Sequence, residues 1–253
     1  MVLLVFSGAC SHTTTDLKKE SAEEIYSKAV KKLERKKFIG VIPYRNTEEA
    51  IELFQQIIDN YPNSKYALLA EIGLADAYFF KDEYDEAQSR YSEFYNLHPG
   101  NEYTPYAIYM SGRCFEEMSS DYDRDLTPIN NAIAEFTKLK INYKDSKYTE
   151  DATKRLTALY EKVAMREFYV ARFYYRRKLY HSAIERLKNL LNNYPEFSLK
   201  ERALYYIYNA FSKINDLENA KKYYNQLVHE FPETNLRDKV FEETISSTDT
   251  SSN

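Results

Sequence analysis

Five times along this chain an alanine is followed, twelve residues later, by a fixed landmark. The pairs are Ala50 and Pro62, Ala87 and Pro99, Ala132 and Lys144, Ala183 and Pro195, and Ala220 and Pro232, with Lys144 the one departure from proline. A fixed recurrence specifies stacked supersecondary units rather than one closed globule, because each unit leaves an apolar face that only its neighbour can cover. Stacked units present a long surface to other polypeptides, so the pattern points to a binding protein before an enzyme.

The residues around each alanine say what the unit is. Four positions on lie Phe54, Tyr91, Phe136, Leu187 and Tyr224, and seven positions on lie Ile57, Phe94, Leu139, Leu190 and Leu227. Offsets of zero, four and seven share one helical face. The alanine is small enough to let a neighbouring helix approach, and the proline stops the helix because it has no N–H to continue the ladder. Upstream of each such helix the pattern predicts a second one. One covers 66–80, with Ala67, Ala70, Leu74, Ala75 and Tyr78 on its face, and another covers 203–211. Ser21 with Glu24 and Ser198 with Glu201 have capping-box spacing, and Thr104–Pro105 and Thr127–Pro128 place a cap residue before a proline at the first helical position. Each unit therefore reads as a helical hairpin.

The spacing between successive alanines is not constant. It is 37 from Ala50 to Ala87 and again from Ala183 to Ala220, but 45 from Ala87 to Ala132 and 51 from Ala132 to Ala183. The 45 implies a loop insertion, placed at 118–125. The 51 implies about four extra helical turns, which predicts one long helix over 148–178. Its stripe runs Ala152, Leu156, Leu159, Tyr160, Val163, Val170, Ala171 and Tyr174. No glycine follows Gly112 and no proline lies between Pro128 and Pro195, so nothing in that stretch interrupts a helix.

Charge excludes one class of partner. Lys+Arg is 35 and Asp+Glu is 39, a formal net charge of -4, far from the basic balance of a dedicated nucleic-acid surface. The four histidines, His12, His98, His181 and His229, show no ligand spacing, and His98 before Pro99 reads as a turn residue. No Gly-rich phosphate loop or nucleophile elbow occurs. The reading is therefore of no catalytic residues, no metal and no nucleic acid. Of the two cysteines, Cys114 lies in an apolar helical stretch and reads as a small core residue.

Cys10 is different. It follows the apolar leader MVLLVFSGA, which is far too short to span a bilayer and reads as the end of a secretory signal. Ser7, Gly8 and Ala9 resemble a bacterial lipobox, with Ser7 standing where Leu is usual. In such signals cleavage leaves the cysteine first and acylated (palmitate among its chains), so the resemblance implies a covalent lipid on Cys10 as the only cofactor. The polar, Thr-rich stretch that follows suits a tether.

A helical hairpin with a small residue, an aromatic four on and a proline twelve on resembles the tetratricopeptide repeat, whose usual period is 34. The stretches YPNSKYALLAEIGLADAYF, DYDRDLTPINNAIAEF, SKYTEDATKRLTALYEK and EFYVARFYYRRKLYHSAIERL resemble the BamD family of lipoproteins in the bacterial outer-membrane β-barrel assembly machinery, from about Glu23 to Pro232. The resemblance implies an all-α, right-handed superhelical array of five hairpins, with the long helix linking units 1–3 to units 4–5. It also implies a non-catalytic scaffold, lipid-anchored on the periplasmic face of the outer membrane. Its partners would be a BamA-like barrel subunit, other assembly-complex lipoproteins and unfolded outer-membrane proteins. The expected organisation is a signal remnant at 1–9, a tether at 10–20, substrate-binding repeats at 21–145, partner-binding repeats at 146–232 and a Ser/Thr-rich disordered tail at 233–253. Another periplasmic tetratricopeptide lipoprotein, a pilotin or a cell-envelope coordinator, is the alternative. An enzyme with a helical accessory array is disfavoured because almost no residues remain outside the repeats.

On this resemblance Arg186, Phe173 and Tyr174 match partner-facing positions and Tyr61 matches a substrate-docking tyrosine. Each has a second reading: Arg186 as a solvated helix charge, and the three aromatics as packing. Glu167 interrupts the long stripe and reads as a partner for Arg166, Arg172 or Arg176, or as a solvated residue. The cluster Lys28, Lys31, Lys32, Arg35, Lys36 and Lys37 reads as a solvated face or as a membrane-facing one beside the anchor.

Overall fold

The computed structural model describes residues 20–34, 36–37, 43–44, 46–119 and 125–236. The leader, Cys10, most of the inserted loop and the tail beyond 236 lie outside them. Among the described residues the chain forms ten helices and one two-residue β-ladder. It divides into two compact units between Phe94 and Tyr95.

The first unit contains α1 (Ala22–Leu33), α2 (Thr47–Asn60), α3 (Lys65–Phe80) and α4 (Tyr84–Leu97) as far as Phe94. Ser21 caps α1 through the expected capping box with Glu24. Between α1 and α2, β1 (Lys36–Lys37) pairs antiparallel with β2 (Pro43–Tyr44), which the helical reading did not foresee. The core joins Ile25 and Ala29 of α1 to Ala50, Phe54 and Ile57 of α2 and to Ala70, Leu74 and Ala77 of α3. Phe54 seats its ring where a Cβ on Gly73 would come within 2.5 Å, so that glycine is a packing requirement.

The second unit runs from Tyr95 through α5 (Thr104–Met118), α6 (Thr127–Asn142), α7 (Thr149–Arg176), α8 (Tyr180–Asn193), α9 (Lys200–Lys213) and α10 (Leu217–Glu230). The long helix is α7, within two residues of the span that the 51-residue spacing predicts. It belongs to two cores at once. Ala152, Leu156, Leu159 and Val163 pack with α5 and α6 through Ile108, Phe136 and Leu139. Ala164, Phe168 and Ala171 pack with α8, α9 and α10. Serving two cores rotates the buried face along the helix. Phe168, absent from the expected stripe, is fully buried, while Tyr160, included in it, is exposed. Burying a ring such as Phe168 contributes roughly 2–3 kcal/mol.

The five landmark alanines are all buried, on α2, α4, α6, α8 and α10, and so are their +4 and +7 partners except Tyr224. On α10, the last described helix, Tyr224 is half-buried against Tyr208 while Tyr223 takes the core position. The chain is thus an all-α helical repeat array, with ten helices among the described residues. Within three helix pairs the turn is of one kind. Asp82, Lys178 and Asn215, each five residues before its alanine, have φ of 64, 62 and 61°. Glu83, Leu179 and Asp216 donate their N–H groups to the carbonyls of Tyr78, Tyr174 and Phe211, closing Schellman motifs.

Three capping expectations need correction. The Ser198 N–H and hydroxyl bond Glu161 of α7 rather than Glu201, and α9 begins after Leu199. Thr104 lies inside α5 with its hydroxyl on the His98 carbonyl. Thr127 lies inside α6 and donates its N–H and hydroxyl to Asp125. In each case the hydroxyl donates to a carboxylate or carbonyl outside its own helix instead of capping its first turn.

Candidate functional site

The carboxyl-terminal half of α7 presents more than its core needs. Tyr169 and Phe173, four apart and therefore on one face, are 50 % and 58 % exposed. Leaving two large aromatics side by side in solvent forfeits the burial that packing would give them. Phe173 meets Tyr174 edge to face at 5.9 Å, and the Arg177 guanidinium lies 6.0 Å from the Phe173 ring centroid.

Arg186 reaches this surface from α8. Its guanidinium sits 5.0 Å over the Tyr174 ring, and its Nη1 donates to Glu167 Oε2 at 3.4 Å. The side chain remains 41 % exposed, so most of its donor fork is still available for a carboxylate. Three of the expected site residues, Arg186, Phe173 and Tyr174, therefore come together. Glu167 turns out to pair with Arg186, nineteen residues away, rather than with the arginines on its own helix. Arg172 keeps a buried Nε without a hydrogen-bond partner among the described residues.

Tyr61 lies elsewhere. It is the C-cap of α2, half-buried against the first unit's core, and its hydroxyl donates to the Glu20 carbonyl at 2.6 Å. Tyr143, the C-cap of α6, does the same for the Pro99 carbonyl at 3.0 Å. Tyr194, the C-cap of α8, adopts the same backbone conformation, but its hydroxyl makes no hydrogen bond to the described residues. Burial, and then the field of Glu167, push its phenol above the ordinary range.

A second cation–aromatic group joins α5 to the beginning of α7. Asp151 accepts from the Tyr109 hydroxyl at 2.5 Å and from Arg155 Nε at 2.6 Å, and Arg155 Nη1 donates to Glu116 at 2.7 Å. Arg113 adds ion pairs to Glu116 at 3.4 Å and to Glu117 at 3.0 Å. The Tyr109 hydrogen bond, followed by that from Arg155, holds the Asp151 carboxyl below the usual range. Burial opposes the Arg155 charge, but Asp151 and Glu116 outweigh it and raise its pKa. The pairing of Arg155 with Asp151 is local, at i and i+4, and was open to sequence reading. Its tie to Glu116 spans 39 residues and was not.

Cys114 is fully buried, as expected of a core thiol. No helix among the described residues is long and apolar enough to cross a membrane.

The profile of the YfiO outer membrane lipoprotein family matches residues 18–227. The chain is 28% identical over 224 residues to outer membrane protein assembly factor BamD of Neisseria gonorrhoeae, covering 85% of this chain and 80% of that one. It is 24% identical over 226 residues to outer membrane protein assembly factor BamD of Caulobacter vibrioides, covering 89% and 71%. Among solved structures it is similar to the TPR2AB domain of yeast Sti1 in its pHSP90 complex, with a TM-score of 0.45, 14% identity, and 85% and 80% of the two chains covered.

Proposed function

The chain belongs to the YfiO family of outer membrane lipoproteins, and on that premise we propose that it is a non-catalytic scaffold for assembling outer-membrane proteins. The named relatives supply the assembly role. The lipobox-like leader supplies the anchor, a lipid on Cys10 that holds the chain to the periplasmic face of the outer membrane. Repeats in 146–232 take the barrel-forming, BamA-like subunit, with other lipoproteins of the complex alongside. Repeats in 21–145, including Tyr61, receive unfolded outer-membrane proteins.

One observation carries this reading. Arg186, Phe173 and Tyr174 form a single surface in which the cation is under-neutralised and the aromatic beside it is exposed. A desolvating partner carrying a carboxylate and an apolar side chain uses both features, and such Arg and aromatic anchors dominate interface energetics.

The test is affinity capture from solubilised membranes. Arg186→Glu is expected to lose the barrel subunit by roughly ten-fold or more while circular dichroism stays unchanged; undiminished capture removes Arg186 from the interface. Cys10→Ser is expected to move the chain out of the membrane fraction, and unchanged fractionation removes the anchor.

A further inference from the structure

The sequence singles out Lys144 as the residue standing where the other four repeats carry proline, and the scaffold reading gives it no role beyond its place in the 21–145 repeats. In the structure Lys144 edges a cavity of about 500 Å³ between α6 and α7, with Lys140, Ile141, Thr153, Leu156 and Tyr160 around it. A second cavity of about 260 Å³ continues along α7 to the turn after α8, edged by Tyr194, Pro195 and Phe197. The two share Thr157 and Tyr160, so they adjoin along α7 and together make a groove. Its volume falls in the range of built ligand sites.

The groove is chemically asymmetric. Its floor and walls are apolar: Leu156 and Phe197 are buried, while Tyr160 and Ile141 are exposed, Ile141 by 61 %. At the α6 end Lys140 and Lys144 are both exposed and neither forms an ion pair with a described residue. At the far end Glu161 is already bonded by Ser198, and Glu196 is exposed. Between the ends stand the Tyr160 and Tyr194 rings, 6.2 Å apart, with the Tyr194 hydroxyl open to accept or donate. The tyrosines at the corresponding C-caps of α2 and α6 have that hydroxyl fastened to a main-chain carbonyl.

We propose that this groove binds an extended peptide segment of another polypeptide, with side-chain carboxylates at one end lying over Lys140 and Lys144 and an apolar side chain seated against the paired Tyr160 and Tyr194 rings. Charge complementarity sets the direction: two unpaired ammonium groups at the α6 end favour acidic residues there, and Glu196 disfavours them at the other. The proposal is separate from the partner surface above, since Arg186, Phe173 and Tyr174 do not line the groove.

The test is fluorescence anisotropy on the full chain in detergent with two amidated, fluorescein-labelled nonapeptides. One begins with two glutamates followed by alternating phenylalanine and serine, and the other has two lysines in place of the glutamates. The acidic probe is expected to bind saturably and to bind the Lys140→Glu, Lys144→Glu double variant about ten-fold or more weakly, while the basic probe gains on that variant. Both substitutions are at exposed positions, and the gain by the basic probe shows that the fold survives. Arg186→Glu is expected to bind the acidic probe like the parent chain, so loss of partner capture and loss of groove binding are read separately. The proposal is overturned if the acidic probe binds both chains equally, or fails to saturate up to about 1 mM. It is also overturned if sedimentation shows self-association that the double reversal abolishes, because the occupant is then a second copy.

Discussion

Both halves of α7 pair an arginine with a tyrosine ring and a carboxylate, and the two arrangements end differently. Near its beginning Arg155 has carboxylates at 2.6 and 2.7 Å, stands 5.9 Å from the Tyr109 centroid and is 28 % exposed. Near its end Arg186 has one carboxylate at 3.4 Å, stands 5.0 Å over Tyr174 and is 41 % exposed beside an uncovered Phe173. The same chemical parts have their donors used up at one end and left over at the other, where the proposed partner surface lies. Residue identity alone does not separate the two arrangements; the number of acceptors each arginine has already met does.

The sharpest way to break this comparison is to remove the saturated arginine. Arg155→Ala leaves Glu116 and Asp151 partly buried without their main cation. Removing one member of such a network costs more than the pair contributes, because the remaining charges stay desolvated. The expected loss is about 2 kcal/mol, discounted from a fully buried pair because Asp151 is half exposed. It would be read as a lower urea midpoint followed by circular dichroism. A loss no larger than that of Arg186→Ala would erase the distinction.

Acid gives a milder version of the same experiment. The Asp151 carboxyl is held below its ordinary 3.8 by the Tyr109 hydroxyl and then by Arg155. Its folded value is depressed, so its contribution to stability is full above 3.8 and is lost as pH falls through the lower folded value. The difference in thermal midpoint between the parent and Asp151→Asn is therefore expected to be constant near neutral pH and to shrink below pH 3.8. A difference that persists at the acid end would mean the carboxylate charge is not what Tyr109 and Arg155 stabilise.

The two halves were also unequally legible in the sequence. The helix itself was readable, because three local signals agreed: the 51-residue spacing, the absence of breakers and the apolar period. The landmark alanines are buried for the same local reason. What the sequence hid depends on partners brought in from other helices. Tyr61 read either as a docking tyrosine or as packing, and nothing in the sequence signalled that its hydroxyl meets Glu20, 41 residues away. Ser198 had the spacing of a capping box, yet Glu161 on α7 is its partner. Three turns take φ above 60° at Asp, Lys and Asn, so no glycine marked them. Proline at the landmark proved dispensable for the backbone it follows. Tyr143 before Lys144 has φ of -134°, against -136° for Tyr61 and -133° for Tyr194, each of which precedes a proline. The C-cap backbone is alike with and without the proline, so the landmark position can carry a lysine.

The smallest expected effect decides the most. Arg186→Ala removes one long ion pair and one partly exposed cation–aromatic contact. Exposed pairs of this kind contribute little, since solvent and side-chain entropy offset the attraction. The expected change in stability is about 0.5 kcal/mol or less, close to the resolution of a urea midpoint. If the surface exists for recognition, that near-silence in folding should coincide with a clear loss of the captured barrel subunit. If Arg186→Ala instead destabilises the chain as Arg155→Ala does, the guanidinium is held by interactions that its 41 % exposure and 3.4 Å pairing do not account for. In that case the second half of α7 would be a packing joint like the first, and the exposed Phe173 would need another reason.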